Sequence, residues 1–275
     1  MNLIFKKSCE LYLKCILSTR RPIKISYTGG LGNQILSLLA QRYLEFIGSE
    51  VSAQMNYFLD NKYRNRLINK SLSVYEWELE NYMDLSIDML MVESKSKDKS
   101  IKISDGFFKL YLAMEGAKND FIVNNIKLKD YPINFSNGIN LESPYTCIHL
   151  RRGDYLKVAS HIVSTSEVIK ASSKFTNICE SLIVISDSDL NELDKNLIYS
   201  VGYKNVIPII SGDPLEAHQL MRNSKVLITS NSQFSFSAAI FSSAIVLIPK
   251  KWYSGLRHYP LQALLSSYTS DFNLW

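Results

Sequence analysis

The sequence predicts an α/β protein with parallel sheets, on three observations. Five short apolar runs between 145 and 249 alternate with helical stretches, a run from Ile23 ends in a glycine turn that opens an amphipathic helix, and the composition is that of ordinary globular material. The 275 residues are 46% hydrophobic and 21% charged, enough for one large or two moderate domains.

From the start of the chain, residues 1–21 interrupt their apolar positions with Lys6, Lys7, Glu10 and Lys14 and lack a small-residue cleavage site. They read as neither a spanning helix nor a signal peptide. Two readings stand: a basic amphipathic helix on an anionic membrane, or a helix packed on its own domain. Ile23 to Thr28 alternates as a strand; Gly29, Gly30 and Gly32 make a tight turn; Gln34 to Ile47 carries an apolar face through Ile35, Leu38, Leu39, Tyr43 and Phe46. The glycine spacing is not that of the dinucleotide fingerprint, but backbone N–H groups at such a helix start can approach an anion or a sugar hydroxyl. Between Val51 and Asn140 the pattern yields a strand near Val51, helical stretches at Leu72–Val92 and Gly106–Ala117, and a charged run, Glu93–Ser100, expected as a solvated loop.

The polar segment 134–143, with Gly138 and then Pro144, is the expected boundary between residues 1–140 and 141–275. Strands are expected at 145–150, 182–186, 205–210, 226–230 and 244–249, with a helix opened by the capping-box spacing Ser164-Thr-Ser-Glu167. Three polar clusters follow strand ends, where ligands bind in such sheets. His149, Arg151, Arg152 and Asp154 surround a glycine turn; Ser186-Asp187 follows the next strand; Ser230-Asn231-Ser232-Gln233-Phe234 starts a helix. Paired guanidiniums suit a diphosphate, and capping hydroxyls at a helix start leave N–H groups for a second diphosphate contact. A surface basic pair bridged to Asp154, and a plain N-cap, are the simpler readings.

Thirty-one basic against 26 acidic residues give +5, compatible with an anionic ligand or membrane surface but too slight for a nucleic-acid partner. Cys9, Cys15, Cys147 and Cys179 form no paired framework, so free thiols in a reducing compartment are expected. Asp187-Ser188-Asp189 has the form of a divalent-metal motif. The arginines and the helix start already supply the charge such an ion would bring, so metal independence is expected, with Asp189 starting the next helix.

His149-x-Arg151-Arg152-x-Asp154 resembles the H-x-R-R-x-D motif of the α1,2-fucosyltransferases. Gly29-Gly30-Leu31-Gly32-Asn33-Gln34, Ile185-Ser186-Asp187, the stretch Ser230–Ala239 and Pro249-Lys250-Lys251-Trp252 resemble the family in the same order, across roughly residues 25–253. The resemblance implies a GT-B-like pair of facing Rossmann-like domains, acceptor on the N-terminal side and donor on the C-terminal side. It implies inverting transfer of L-fucose from GDP-fucose to a sugar hydroxyl, without cofactor. Arg151 would contact the β-phosphate with Arg152 beside it and Asp154 orienting one of them. His149 would bind phosphate or donor sugar, or pack as a core histidine. Gly32, Asn33 and Gln34 would line the donor cleft, Asp187 would accept from guanine, and Asn231, Ser232, Gln233 and Phe234 would hold the diphosphate. Asp154 and His161 are the candidate bases. The sequence departs from the family at Phe236-Ser237, where paired tryptophans are usual, and in lacking a double acidic residue after Ser186. Those departures keep open another GDP-6-deoxysugar such as colitose. A non-catalytic sugar-nucleotide or glycan binder and a membrane-surface scaffold are readings from other classes. The implied setting is bacterial surface-polysaccharide assembly, cytoplasmic at the inner membrane face, on a lipid-linked oligosaccharide acceptor.

Overall fold

The computed structural model describes residues 2–70, 73–91, 100–104, 106–131, 133, 143–157, 162–249 and 273–274. Most of the charged run at 93–100, most of the expected boundary at 134–143, His161 and the stretch Lys250-Lys251-Trp252 lie outside them. The chain divides into two compact units, Met1–Asp130 and Tyr131–Trp275.

In the first unit β1 (Ile23–Ser26), β2 (Val51–Gln54) and β3 (Ile101–Ile103) form a parallel sheet in the order β2-β1-β3, with Ile25 opposite Ala53 and Ile103. The helix Leu31–Phe46 begins earlier than its apolar pattern suggests. Gly29 takes φ +77° and Gly30 is the N-cap, so Gly32, Asn33 and Gln34 form its first turn. Its Phe46 meets Phe121 of the helix Asp120–Asn125 at 6.0 Å, and it runs alongside Gly106–Ala117, where a Cβ on Gly116 would fall 2.7 Å from the Leu39 carbonyl oxygen. Only glycine permits that approach. The stretch read as one helix over 72–92 is two short ones, Leu79–Met83 and Ile87–Leu90, because Asp84 turns left-handed at φ +55°.

The helix Asn2–Ser18 buries Cys9, Leu13 and Ile16, one stripe at helical spacing, and sets Tyr12 edge-on against Phe108. Its apolar stripe is therefore spent on packing within its own unit. No helix among the described residues is long and apolar enough to cross a membrane. All four cysteines are free.

The second unit holds β4 (Tyr145–Leu150), β5 (Ser181–Ser186), β6 (Asn205–Ile210), β7 (Val226–Ile228), β8 (Ile245–Ile248) and β9 (Asn273–Leu274), all parallel, in the order β6-β5-β4-β7-β8-β9. Every residue of β4 is buried, as a central strand covered on both faces must be. Pro208 sits in β6, which among the described residues is an edge strand paired with β5, the kind of strand where proline is tolerated. From β4 the chain winds outward through β5 and β6, then returns to the other side of β4 with β7. The reversal between β4 and β7 is the topological switch point of a doubly wound sheet, the place where ligands bind outside the carboxyl ends. The helix Thr165–Ser172 starts where the capping box predicts, but Ser164 makes no cap bond; its hydroxyl meets that of Ser166 at 2.7 Å.

Candidate active site

Arg151 and Arg152 leave the end of β4 in opposite directions. Arg151 donates through Nε and Nη2 to Asp154 Oδ1 at 3.1 and 2.8 Å and through Nη1 to Asp187 Oδ2 at 2.9 Å, and its guanidinium lies 5.5 Å from the Tyr155 ring centroid. It is thus held in a fixed pose at the mouth of the switch point while staying partly exposed. Asp154, on the 3-10 turn Gly153–Lys157, has a half-exposed side chain.

Arg152 is 4% exposed. Its guanidinium donates to the Val163 carbonyl at 3.1 Å and to the Thr165 hydroxyl, and lies 3.5 Å from Asp194. These partners lie inside the fold, where a buried guanidinium needs a carboxylate and carbonyls around it. Arg152 braces the turn from below.

Asp187 is bound to the same loop. Its Oδ1 accepts the Arg152 backbone N–H at 2.6 Å and its Oδ2 the Arg151 guanidinium, so its carboxylate organises the arginine turn rather than standing apart for a base. Gly153 allows this. A Cβ there would overlap the Asp187 carboxylate, and the Gly153 N–H donates to Ser188 Oγ at 3.2 Å. Gly153→Ala is expected to push Asp187 off Arg151, lowering stability by roughly 1–3 kcal/mol. Unchanged melting would show that the close approach does not matter. Asp189 does not start a helix; Asn191 caps the helix Glu192–Tyr199 by accepting the Asp194 N–H. Among the described residues no three His, Cys, Asp or Glu side chains are grouped as metal ligands.

His149 is 2% exposed, its Nδ1 2.8 Å from Ser230 Oγ and its ring edge-on to Phe234 at 5.5 Å. Phe234 is shared with His218, which is fully buried and meets Ser237 Oγ at 3.1 Å. Burial, with Arg151 and Arg152 nearby, lowers His149 from its usual 6.5 to about 3, and burial, with Arg222, lowers His218 to about 3. His149 is the core histidine of the two readings, tying β4 to the loop after β7. Both rings are neutral when folded, whereas the unfolded chain takes up protons below about 6.5. Stability is therefore lost as pH falls from 6.5 toward 3, by up to about 1.4 kcal/mol per unit for each ring. His218→Gln should flatten that acid limb in a urea titration; an unaltered limb would place the His218 proton uptake elsewhere.

The helix Gln233–Ile240 starts at the other lip. Ser232 caps it, accepting the Phe234 N–H at 3.3 Å, and that N–H is therefore not one of those facing a ligand. Asn231 is buried, and its carbonyl accepts the Tyr155 hydroxyl at 3.3 Å. Tyr155 thus links both lips of the switch point. Gln233 and Phe234 are half-buried. Phe236 and Ser237, where the sequence departs from the family pattern, are fully buried in packing.

In the first unit Gln34 is fully buried, its amide donating to the carbonyls of Gly29 and Glu76 at 3.0 and 2.8 Å and accepting the Glu78 N–H at 3.0 Å. Its side chain cross-braces the glycine loop. Asn33 lies against Gly29, and Gly32 is buried in the first turn. Thr165, Asp194 and Tyr155 lie about the arginine turn and were given no part in it by sequence. Thr165 and Asp194 lie far from the motif in the chain, and only the tertiary fold brings them under Arg152. Lys109 was also missed; it is buried, donates to the Ser26 carbonyl at the end of β1 at 2.9 Å, and is lowered by burial to about 8.

A doubly wound sheet with a held arginine, a braced glycine turn and a capped helix start at its switch point has the form in which α/β sheets generally hold anionic ligands. The chain belongs to glycosyl transferase family 11, the α1,2-fucosyltransferase family, whose model matches residues 53–266, and it is a glycosyltransferase. No curated protein matches the sequence. Among solved structures it is similar to the E. coli heptosyltransferase WaaC with ADP (7% identity, covering 92% of this chain and 92% of that chain, TM-score 0.44). It is similar to the E. coli ADP-heptose lps heptosyltransferase II (10% identity, 93% and 90%, TM-score 0.44). It is also similar to POFUT1 in complex with GDP-fucose (12% identity, 82% and 96%, TM-score 0.39).

Proposed function

We propose that the protein transfers L-fucose from GDP-fucose to a sugar hydroxyl, α1,2 to galactose, on a surface glycan such as O-antigen, with inversion and without a metal ion. The observation that carries this reading is Arg151, fixed by Asp154 and Asp187 at the switch point opposite the Gln233–Ile240 helix start. Transfer separates the anomeric carbon from the diphosphate, leaving positive charge on the sugar and negative charge on the GDP. A prepositioned guanidinium lowers the barrier where that negative charge builds. The exposed Asp154 carboxylate is the partner that a β-phosphate oxygen displaces, while Asp187 keeps the guanidinium in place. Arg152, His149 and Tyr155 act through that geometry as positioning residues. Ser232 and Gln233 offer the helix start to the diphosphate. The acceptor is a lipid-linked oligosaccharide at the inner face of a bacterial cytoplasmic membrane.

Thermal melting with GDP, with UDP and without nucleotide, each with and without EDTA, tests the reading. A ligand at about 100 times its Kd stabilises by roughly 2.7 kcal/mol. A shift with GDP alone, indifferent to EDTA, is expected. A UDP shift, or an EDTA-sensitive one, overturns the donor or the metal-free part. Another GDP-6-deoxysugar is the alternative donor, and product analysis with GDP-fucose decides between them.

A further inference from the structure

The helix Asn61–Asn69 buries no residue. Its Arg64 turns toward the fold, donating to the Tyr75 carbonyl at 3.1 Å and to Glu76. Lys62, Arg66 and Lys70, each one turn beyond the last, share the opposite, exposed face. Like charges at that spacing repel, and among the described residues none of the three forms an ion pair. Beside them an open cleft of about 460 Å3, after the end of β2, is lined by Met55, Asn56, Leu59, Lys62 and Met91 among others. The cleft's own carboxylate, Asp60, caps the helix by accepting the Tyr63 N–H at 3.1 Å.

Large apolar side chains stand in water beside the stripe: Leu59 is 55% exposed, Met91 41%, and Met89, two residues before Met91, 62%. Leu59 and Met91 share the cleft with Lys62, so the apolar patch and the cationic stripe adjoin. A soluble polyanion would engage the cations and leave the apolar groups wet. An apolar peptide would do the reverse. An anionic bilayer satisfies both, with headgroup phosphates on the stripe and the acyl boundary receiving the apolar side chains.

We propose that this face of the first unit, Lys62, Arg66 and Lys70 with Leu59, Met89 and Met91, docks on a bilayer surface rich in anionic phospholipid. The proposal gives a surface to the membrane-side location proposed above and does not depend on which sugar is transferred. It also differs from attachment through residues 1–21.

Vesicle co-sedimentation of the full chain tests it, using phosphatidylcholine alone and phosphatidylcholine with 30% phosphatidylglycerol as the stated compositions. The wild type should pellet only with the anionic vesicles, and less at 1 M salt, where the screening length shortens from about 10 to about 3 Å. The variant Lys62→Gln/Arg66→Gln/Lys70→Gln should lose roughly a hundredfold in partitioning. Leu59→Ser/Met89→Ser/Met91→Ser should also lose binding, while Leu11→Ser/Lys14→Gln on the N-terminal helix should not. Melting and its shift with GDP should be the same in every variant, which separates loss of docking from misfolding and from failure of the donor site. Equal pelleting of wild type and charge variant, loss confined to the N-terminal variant, or no anionic preference overturns the proposal. So does binding of soluble polyphosphate in place of vesicles.

Discussion

Arg151→Ala is expected to lower kcat/KM by roughly 10²–10³-fold and to abolish the GDP-induced rise in melting temperature, while the unliganded protein melts within a few degrees of the wild type. The separation follows from exposure. Asp154 has a side chain 51% exposed and Asp187 one 23% exposed, so each can be rehydrated once the guanidinium is gone, and pairs of that kind contribute about 0–1 kcal/mol. The nucleotide fares worse than the fold. Without Arg151, Asp154 and Asp187 are left as two uncompensated carboxylates beside the place proposed for the diphosphate. The loss therefore includes repulsion as well as a missing contact, and Asp187→Asn added to Arg151→Ala should recover part of the GDP affinity. Arg151→Lys keeps the charge without the planar fork and should fall between wild type and alanine. Retention of the full GDP shift in Arg151→Ala would remove Arg151 from the donor site.

The sheet of the second unit was legible because buried parallel strands are near-continuous apolar runs: Tyr145–Leu150 and Leu182–Ser186 match β4 and nearly all of β5. The first unit was less legible. Its described helices between β2 and β3 are four to nine residues long, too short to show a period, and the left-handed Asp84 that divides two of them has no glycine to announce it. At the site, sequence brought Arg151, Asp154 and Asp187 to one crevice because all three follow strand ends. It could not tell Arg151 from Arg152, since neighbours in a chain share their composition and differ in direction. Nor could it see that Gln34 and His149 would be consumed by the fold. A glutamine that serves three backbone groups and a histidine that bonds a serine from the loop after β7 look, in sequence, like residues waiting for a ligand.

That difference between neighbouring arginines sets the second large effect. Arg152→Ala should cost about 3–5 kcal/mol, a fall in melting temperature on the order of 10 °C. Its guanidinium is the cation for Asp194, whose side chain is only 14% exposed, and it serves the Val163 carbonyl and the Thr165 hydroxyl, which in turn donates to Asp194. Removing the cation strands a carboxylate that cannot reach water, which is more costly than never having had the pair. Arg152→Met should therefore remain destabilised despite filling the space. Adding Asp194→Leu, which withdraws the stranded charge, should return most of the loss; the coupling in that cycle measures the brace. GDP affinity of the residual folded protein should fall less than in Arg151→Ala, because Arg152 acts on the ligand only through the turn it supports. An Arg152→Ala protein that melts like the wild type but no longer responds to GDP would reverse the assignment and make the buried arginine the phosphate ligand.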